Sequence, residues 1–239
     1  MIELHAHILP GLDDGARDLK DALDLARAFV AEGTSRVYAT PHGFSTVYHV
    51  EAKRVLSTVE DFRARLCEYG IMLDVRPGME VHYHRGLLDN LQKGFSLGYG
   101  GGDGPKYMLL EFPSREWPRD IGELLYELRL RGVTPILAHP ERHLPTLRHP
   151  ELLDEALAEG ALAQVTAGSV LGQFGAQCEK ACRRWLAMGR VHVVASDAHD
   201  ATVRKPDLAR ALDRIRREWD MDDAADACER TALEVWESS

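Results

Sequence analysis

Short apolar runs rich in Val, Ile and Leu alternate with helical patterns from one end of the chain to the other. Strand-like runs are short and bounded by turn residues, whereas helical segments repeat their apolar residues every three or four positions. The alternation predicts successive βα units. Seven strands are expected, at Ile2 to His7, Arg36 to Thr40, Met72 to Met79, Tyr107 to Glu111, Thr134 to Ala138, Ala163 to Thr166 and Val191 to Ser196.

Two apolar stripes at helical spacing lie between these strands. The first consists of Leu19, Ala22, Leu23, Ala26 and Val30, and the second of Ile121, Leu124, Leu125 and Leu128. One-sided stripes of this kind indicate helices that pack outside a sheet. Glycines such as Gly33 and Gly132 close several helices shortly before the next strand, as C-terminal caps do.

The α/β pattern leaves two architectures open, a closed barrel and an open doubly wound sheet. No G-x-G-x-x-G follows an expected strand, so a dinucleotide-binding sheet has no support. The chain has 239 residues, 45% of them hydrophobic, which suffices for one domain with a substantial core. We therefore favour a single domain over residues 1–239, built as a barrel of about seven strands with its catalytic groups at the carboxyl ends of the strands.

Net charge and hydropathy disfavour two classes of protein, those that bind nucleic acid and those that span a membrane. The formal net charge of −9 disfavours binding to the nucleic-acid backbone, which requires clustered Lys and Arg. The sequence contains neither a basic segment followed by an apolar stretch at its start nor about 18 uninterrupted apolar residues. A soluble, cytoplasmic protein is the expectation.

The four cysteines include one pattern that resembles a catalytic motif. Cys178 and Arg184 satisfy C-x5-R, the spacing of cysteine-dependent tyrosine phosphatases. That chemistry needs a glycine-bearing loop that cradles phosphate and lowers the thiol pKa, whereas the residues after Cys178 have the pattern of a helix interior. We expect Cys178 to be an inert helical cysteine.

Nearly every expected strand ends in a metal-ligating residue type. The residues at these ends are His5 and His7, His42, Glu80, Glu111, His139, and Asp197 and His199. Residues i and i+2 of a strand share a face, so His5 and His7 are placed to chelate one ion, as are Asp197 and His199 if their strand continues. Because buried carboxylates and imidazoles are costly without compensating charge, their convergence predicts a metal centre. Imidazole and carboxylate ligands without thiolate favour Mn, Fe or Zn.

Six motifs resemble those of a known family. They are His5 to Gly15 (HAHILPGLDDG), Ala39 to His42 (ATPH), Pro77 to Glu80 (PGME), Ala138 to Arg142 (AHPER), Gln164 to Ser169 (QVTAGS) and Ala195 to His199 (ASDAH). Together they resemble the bacterial capsule and exopolysaccharide tyrosine-protein phosphatases of the polymerase and histidinol phosphatase superfamily. The resemblance runs through almost the whole chain in the expected order.

The resemblance implies a distorted seven-stranded βα barrel that holds two or three divalent ions, with Mn the first choice and Fe or Zn as alternatives. It assigns His5, His7, Glu80 and Asp197 to the first metal, Glu80, Glu111 and His139 to the second, and Asp14, His42 and His199 to the third. Arg142 and Arg204 resemble the family's phosphate-binding arginines, and both are expected to act in catalysis together with His199.

The function implied by the resemblance is removal of phosphate from the tyrosine-rich tail of a membrane tyrosine autokinase that controls polysaccharide export. Three alternatives remain open: a small-molecule phosphatase such as one acting on histidinol phosphate, a nuclease, and a noncatalytic metal-binding regulator. The acidic charge weakens the nuclease. The oligomeric state is also open.

Several of these residues also have purely structural interpretations. Asp13 and Asp14 precede a helix and could cap it. Arg142 and Arg204 could be solvated surface charges.

Overall fold

The chain divides into two compact units in the computed structural model, which describes residues 1–45, 47–100, 104 and 106–238. The first unit is Met1–Gly98 with Ala195–Ala209, and the second is Tyr99–Val194 with Arg210–Ser239. Both mix helices with parallel strands, so the predicted α/β class is confirmed. Within the described residues, no helix is both long and apolar enough to cross a bilayer.

The first unit is built around a small parallel sheet. Its elements are β1 (Ile2–Ala6), α1 (Leu19–Ala31), β2 (Arg36–Ala39), β3 (His42–Gly43), α2 (Ala52–Glu68), β4 (Asp74–Pro77), β5 (Glu80–His82) and α3 (Leu87–Gln92). Strand β2 lies between β1 and β4, and both pairings are parallel. Strand β3 pairs in parallel with β5.

Strands β3 and β5 were not expected from the sequence, which predicted His42 and Glu80 as residues that follow longer strands. Pro41 explains part of the difference because proline has no backbone N–H to continue a ladder. Gly78 N donates to Ala39 O at 2.9 Å, and Glu80 N then donates to Pro41 O at 3.2 Å. The chain therefore ends one pairing and begins another, and His42 and Glu80 open the new strands.

The remaining elements lie wholly or mostly in the second unit. They are β6 (Tyr107–Glu111), α4 (Ile121–Leu130), β7 (Thr134–Ala138), a 3-10 helix (Pro140–Arg142), α5 (Leu144–Arg148), α6 (Glu151–Ala158), β8 (Leu162–Thr166), α7 (Ala167–Val170), α8 (Ala176–Ala187), β9 (Val193–Ala195), α9 (Leu208–Arg217) and α10 (Asp222–Glu237). Strand β7 pairs in parallel with β6 and β8, and β9 lies next to β8. All seven expected strands are present, although their closure into one barrel stays a prediction.

Helix α1 buries a face that differs slightly from the predicted stripe. Leu25 and Phe29 are fully buried, whereas Val30 is 40% exposed. The buried residues recur at helical spacing on the face that carries Phe29, and the next residue lies about 100° around the helix. The predicted α1 stripe therefore ends at Val30, one residue beyond the buried Phe29.

Candidate metal centre

Four donor atoms converge beside β1. His5 Nε2 and His7 Nε2 lie 3.2 Å apart, as expected for residues i and i+2 on one strand face. Glu80 Oε2 is 3.3 Å from each of these nitrogens. Asp197 Oδ1 is 3.4 Å from His5 Nε2 and 3.3 Å from His7 Nε2. All four side chains are buried, and the structure brings these four predicted residues close together.

These separations fit a shared metal ion. Two ligand atoms, each about 2.1 Å from one ion, lie about 3.0 Å apart at a right angle and about 3.4 Å apart at a tetrahedral angle. The five distances that involve the Nε2 atoms of His5 and His7 are 3.2 to 3.4 Å. The donor set of two imidazoles and two carboxylates suits Mn, Fe or Zn. The residues present therefore fit a divalent cation.

A second group of donors adjoins the first and shares His7. It consists of His7, Asp14, His42 and His199, with one ligand atom from each lying within 4.8 Å of all the others. Asp14 Oδ1 lies 3.5 Å from His42 Nε2 and 3.4 Å from His199 Nε2. The Asp14 side chain is 44% exposed. The expected third set, Asp14, His42 and His199, is therefore brought together at the open side of the cluster.

The turn that carries Asp197 and His199 differs from the expected strand. Strand β9 ends at Ala195, and Asp197 has a left-handed backbone with φ of 53°, so the strand does not continue. Backbone hydrogen bonds to β1 hold the turn instead, with Asp197 N donating to His5 O at 2.9 Å. The His199 Nδ1–H group is 2.9 Å from Asp197 O and donates to it in the tautomer that leaves Nε2 free to ligate.

Glu3 was not singled out by the sequence, yet it connects two segments that carry ligands. Its Oε1 accepts a hydrogen bond from His5 N at 2.8 Å, and its Oε2 accepts one from Ser196 N at 2.9 Å. Burial raises the pKa of this carboxyl group to about 7, despite the hydrogen bonds from Ser196 and His5 that oppose the rise. Glu3 therefore fixes β1 against the residue that precedes Asp197.

Asp13 is a second residue whose role the sequence did not reveal. Its carboxylate lies 2.6 Å from His7 Nδ1 and accepts from the backbone N–H groups of His42 and Gly15. The interpretation of Asp13 as a helix cap is wrong, since the N-cap of α1 is Asp18. Hydrogen bonds to distant backbone leave no periodic signal in a sequence, which is why neither Asp13 nor Glu3 was found.

Arg204 lies among the predicted ligands. Its Nη2 donates to Asp197 Oδ2 at 2.7 Å, and its Nη1 is 4.0 Å from Asp14 Oδ2. The side chain is 32% exposed, so the interpretation as a freely solvated charge is wrong for this arginine. Its predicted contact with substrate phosphate stays a prediction.

Three predicted site residues belong to the second unit. Glu111 ends β6 and His139 follows β7, and the His139 Nε2 and Glu111 Oε1 atoms are 4.0 Å apart. Arg142 lies in the 3-10 helix, with its guanidinium carbon 4.5 Å from the centre of the Phe174 ring. The metal-binding roles of Glu111 and His139, and the phosphate-binding role of Arg142, stay predictions.

The structure agrees with the rejection of a cysteine nucleophile. Cys178 lies in α8 and is buried, as is Cys182 one turn later. Burial raises the pKa of both thiols, which is opposite to the shift that a catalytic thiolate requires.

Electrostatics favour the charged forms of His5, His7 and Asp197. Burial opposes protonation of His5, but Glu80 and Asp197 outweigh it and raise the pKa of the ring. Burial likewise opposes protonation of His7, and Asp13 reverses the effect so that its pKa rises well above the usual value. Burial would raise the pKa of Asp197, yet His5 and its other partners hold it well below the usual value. The cluster thus carries ionised carboxylates that attract cations, whether protons or metal ions.

A cavity of about 430 Å³ borders the second donor group, with Asp14 and His199 in its wall and Arg17, Lys20 and Val203 among its other lining residues. Its size lies within the range of about 300–1,000 Å³ that is typical of small-molecule sites. Asp14 and His199 therefore belong both to the second donor group and to the wall of this cavity.

Known proteins resemble this chain in sequence and in fold. The family model described as "Capsular polysaccharide synthesis, CpsB/CapC" matches residues 1–235. Tyrosine-protein phosphatase YwqE of Bacillus subtilis is 37% identical over 219 residues, covering 92% of the chain and 85% of that protein. Tyrosine-protein phosphatase CpsB of Streptococcus agalactiae serotype V is 26% identical over 224 residues, covering 92% of the chain and 91% of that protein.

A solved structure has the same fold over the whole chain. It comes from a study of YwqE from Bacillus subtilis and CpsB from Streptococcus pneumoniae, described there as metal-dependent tyrosine phosphatases. The TM-score is 0.94 at 34% sequence identity, and the match covers 100% of this chain and 95% of the other.

Proposed function

The chain belongs to the CpsB/CapC family of capsular polysaccharide synthesis, and from that membership we propose that it is a metal-dependent protein-tyrosine phosphatase. The observation that carries the proposal is the approach of Glu80 Oε2 and Asp197 Oδ1 to the paired Nε2 atoms of His5 and His7, with separations of 3.2 to 3.4 Å. Relatives named tyrosine-protein phosphatases support the substrate class.

The metal is manganese in this proposal, and the centre holds two or three ions. His5, His7, Glu80 and Asp197 hold the first. Asp14, His42 and His199 hold another, and the resemblance adds Glu111 and His139 with Glu80 at a third position. Bound divalent cations supply a lowered pKa for water and positive charge beside the phosphoryl oxygens.

The protein's own residues orient the substrate. The Nη2 group of Arg204 donates a hydrogen bond to Asp197 Oδ2 at 2.7 Å. In this proposal, the other N–H groups of the guanidinium donate to phosphoryl oxygens of the substrate. Arg142 is proposed as a second phosphate ligand. The hydrogen bond from His199 Nδ1 to Asp197 O holds the His199 ring, and its Nε2 faces Asp14. Because the phenolate of tyrosine leaves with a pKa near 10, the reaction has little need of a strong general acid.

The physiological substrate in this proposal is the phosphotyrosine tail of a membrane tyrosine autokinase that controls capsule or exopolysaccharide synthesis. Two observations support it: the family description refers to capsular polysaccharide synthesis, and the relatives are named tyrosine-protein phosphatases. The cavity beside Asp14 and His199 offers space for an aromatic phosphate.

The experiment is hydrolysis of a phosphotyrosine peptide by protein stripped of metal and then reconstituted with Mn. The parent is compared with His139→Ala and with Cys178→Ser, and metal content is measured alongside. We expect metal-dependent turnover that His139→Ala abolishes and Cys178→Ser retains. Loss of turnover in Cys178→Ser alone would contradict the proposal.

Parallel substrates separate the alternatives. Turnover of histidinol phosphate without turnover of the peptide would indicate a small-molecule phosphatase. Cleavage of single-stranded DNA would indicate a nuclease. Binding of metal and phosphopeptide without hydrolysis under any metal would indicate a noncatalytic regulator. The single domain and the distorted seven-stranded barrel also stay proposals, which a crystal structure of the reconstituted protein would test.

A further inference from the structure

Asp13 is buried between two segments that carry metal-ligand candidates. Its side chain has no exposed surface. Oδ2 lies 2.6 Å from His7 Nδ1 and 2.9 Å from the backbone nitrogen of His42, while Oδ1 lies 3.0 Å from the backbone nitrogen of Gly15. Three N–H groups therefore converge on one carboxylate, which can accept all of them because it has only acceptor sites.

The contact with His7 decides which ring nitrogen faces the cluster. A proton on Nδ1 that is donated to Asp13 leaves the lone pair on Nε2. Nε2 is the atom that lies 3.3 Å from both Glu80 Oε2 and Asp197 Oδ1. Carboxylates that hold the far nitrogen of a ligating histidine orient the ring and increase its basicity.

The residues that follow Asp13 pack closely against the backbone of His7. A Cβ atom added to Gly15 would lie 2.1 Å from His7 O, so only glycine allows this approach. Ala16 N also donates to His7 O, at 3.1 Å. Asp14 lies between the anchored residues Asp13 and Gly15, so the same contacts hold the backbone that carries the Asp14 side chain.

We propose that Asp13 is a positioning residue of the metal centre, which holds the His7 ring with Nε2 toward the cation and ties the Asp14 loop to the backbone of His42. The inference deepens the proposed function, because it rests on the metal centre assigned there. Asp13 itself contacts neither the metal nor the substrate in this arrangement.

The first test is zinc affinity, measured by competition with a chelating indicator, for the parent, Asp13→Ala, Asp13→Asn and Asp18→Ala. Asp13→Ala removes every acceptor, and we expect its affinity to fall about 10- to 100-fold. Asp13→Asn keeps one acceptor oxygen for His7 and should recover part of the loss. Asp18→Ala removes the α1 cap, so it should lower the melting temperature and leave zinc affinity unchanged.

The second test detects the His7 tautomer in the zinc-loaded parent by nitrogen-15 NMR of the histidine rings. It needs no variant to fold. We expect a slowly exchanging proton on Nδ1 and none on Nε2; the opposite tautomer would overturn the proposal. Affinity of Asp13→Ala within about twofold of the parent would also overturn it, as would an equal loss in Asp18→Ala. Zinc binding that follows these expectations, together with no phosphotyrosine hydrolysis in Mn or any other metal, would reject the proposed function and leave this inference standing.

Discussion

His42 and Glu80 are register partners in the parallel β3–β5 pair, and the His42 Nδ1 and Glu80 Oε2 atoms lie 2.9 Å apart. The same Glu80 oxygen is 3.3 Å from the Nε2 atoms of His5 and His7. Glu80 Oε2 is thus close to histidines of both donor groups. We therefore expect substitution of Glu80 to disturb both donor groups.

Glu80→Gln keeps the size of the side chain and removes the negative charge. We expect metal affinity to fall by at least about 100-fold, because loss of a direct ligand should cost more than loss of a residue that only orients a ligand. Mn-dependent turnover should fall as well. Metal content by mass spectrometry and hydrolysis of a phosphotyrosine peptide measure the two effects. Glu68→Gln, on the exposed surface of α2, is the matched control and should change neither. Full metal content in Glu80→Gln would contradict the assignment.

Metal affinity should depend strongly on pH. The pKa values of His5 and His7 are raised by the carboxylates beside them, so both rings favour the protonated form. Protons on these rings must leave before metal binds, and affinity should fall as pH falls, by about tenfold per unit for each displaced proton. Calorimetric titrations with Mn between pH 6 and 8, in buffers of different ionisation enthalpy, measure the proton release. Binding without proton release would count against a histidine-ligated site.

Stability of the metal-stripped protein should decline as pH rises through about 7 because of Glu3. Its folded pKa of about 7 lies above the ordinary value of 4.5, so burial favours the neutral form. The contribution is fully present below pH 4.5 and is lost as pH rises through the folded pKa; the shift corresponds to on the order of 3 kcal/mol.

Melting temperatures of the parent and Glu3→Gln across pH 5 to 9 test this expectation. Because Gln does not ionise, the advantage of the parent over the variant should shrink as pH rises. A difference in melting temperature that is constant across the range would exclude Glu3 as the titrating group.

Arg204→Ala should weaken turnover more than metal binding. The guanidinium donates to Asp197 Oδ2, and its loss removes the proposed phosphate donors while leaving the ligand atom Asp197 Oδ1 in place. We expect kcat/KM to fall by roughly 100-fold, the scale of one lost charge-stabilising donor, with metal content retained. Steady-state kinetics with a phosphotyrosine peptide measure it. Arg217→Ala, an exposed arginine of α9 paired with Asp213, serves as the control. Unchanged kinetics in Arg204→Ala would remove this residue from the reaction.

The α/β class, the positions of the seven expected strands and the shared strand face of His5 and His7 could be predicted from the sequence alone. These follow from local rules, because apolar periodicity marks the elements and the two-residue repeat of a strand puts His5 and His7 on one face. The assignment of Asp14 came from motif resemblance, since spacing alone left helix capping open for it.

Three features became visible only in the folded chain: the roles of Glu3 and Asp13, the start of new strands at His42 and Glu80, and the turn that carries Asp197. Each depends on hydrogen bonds between segments far apart in the chain, such as Ser196 N to Glu3 and His42 N to Asp13. A buried carboxylate is stabilised by whichever N–H groups the fold brings to it, and those partners have no fixed spacing in sequence. Local pattern identifies ligands that share an element, whereas the groups that hold those ligands in place emerge only from packing.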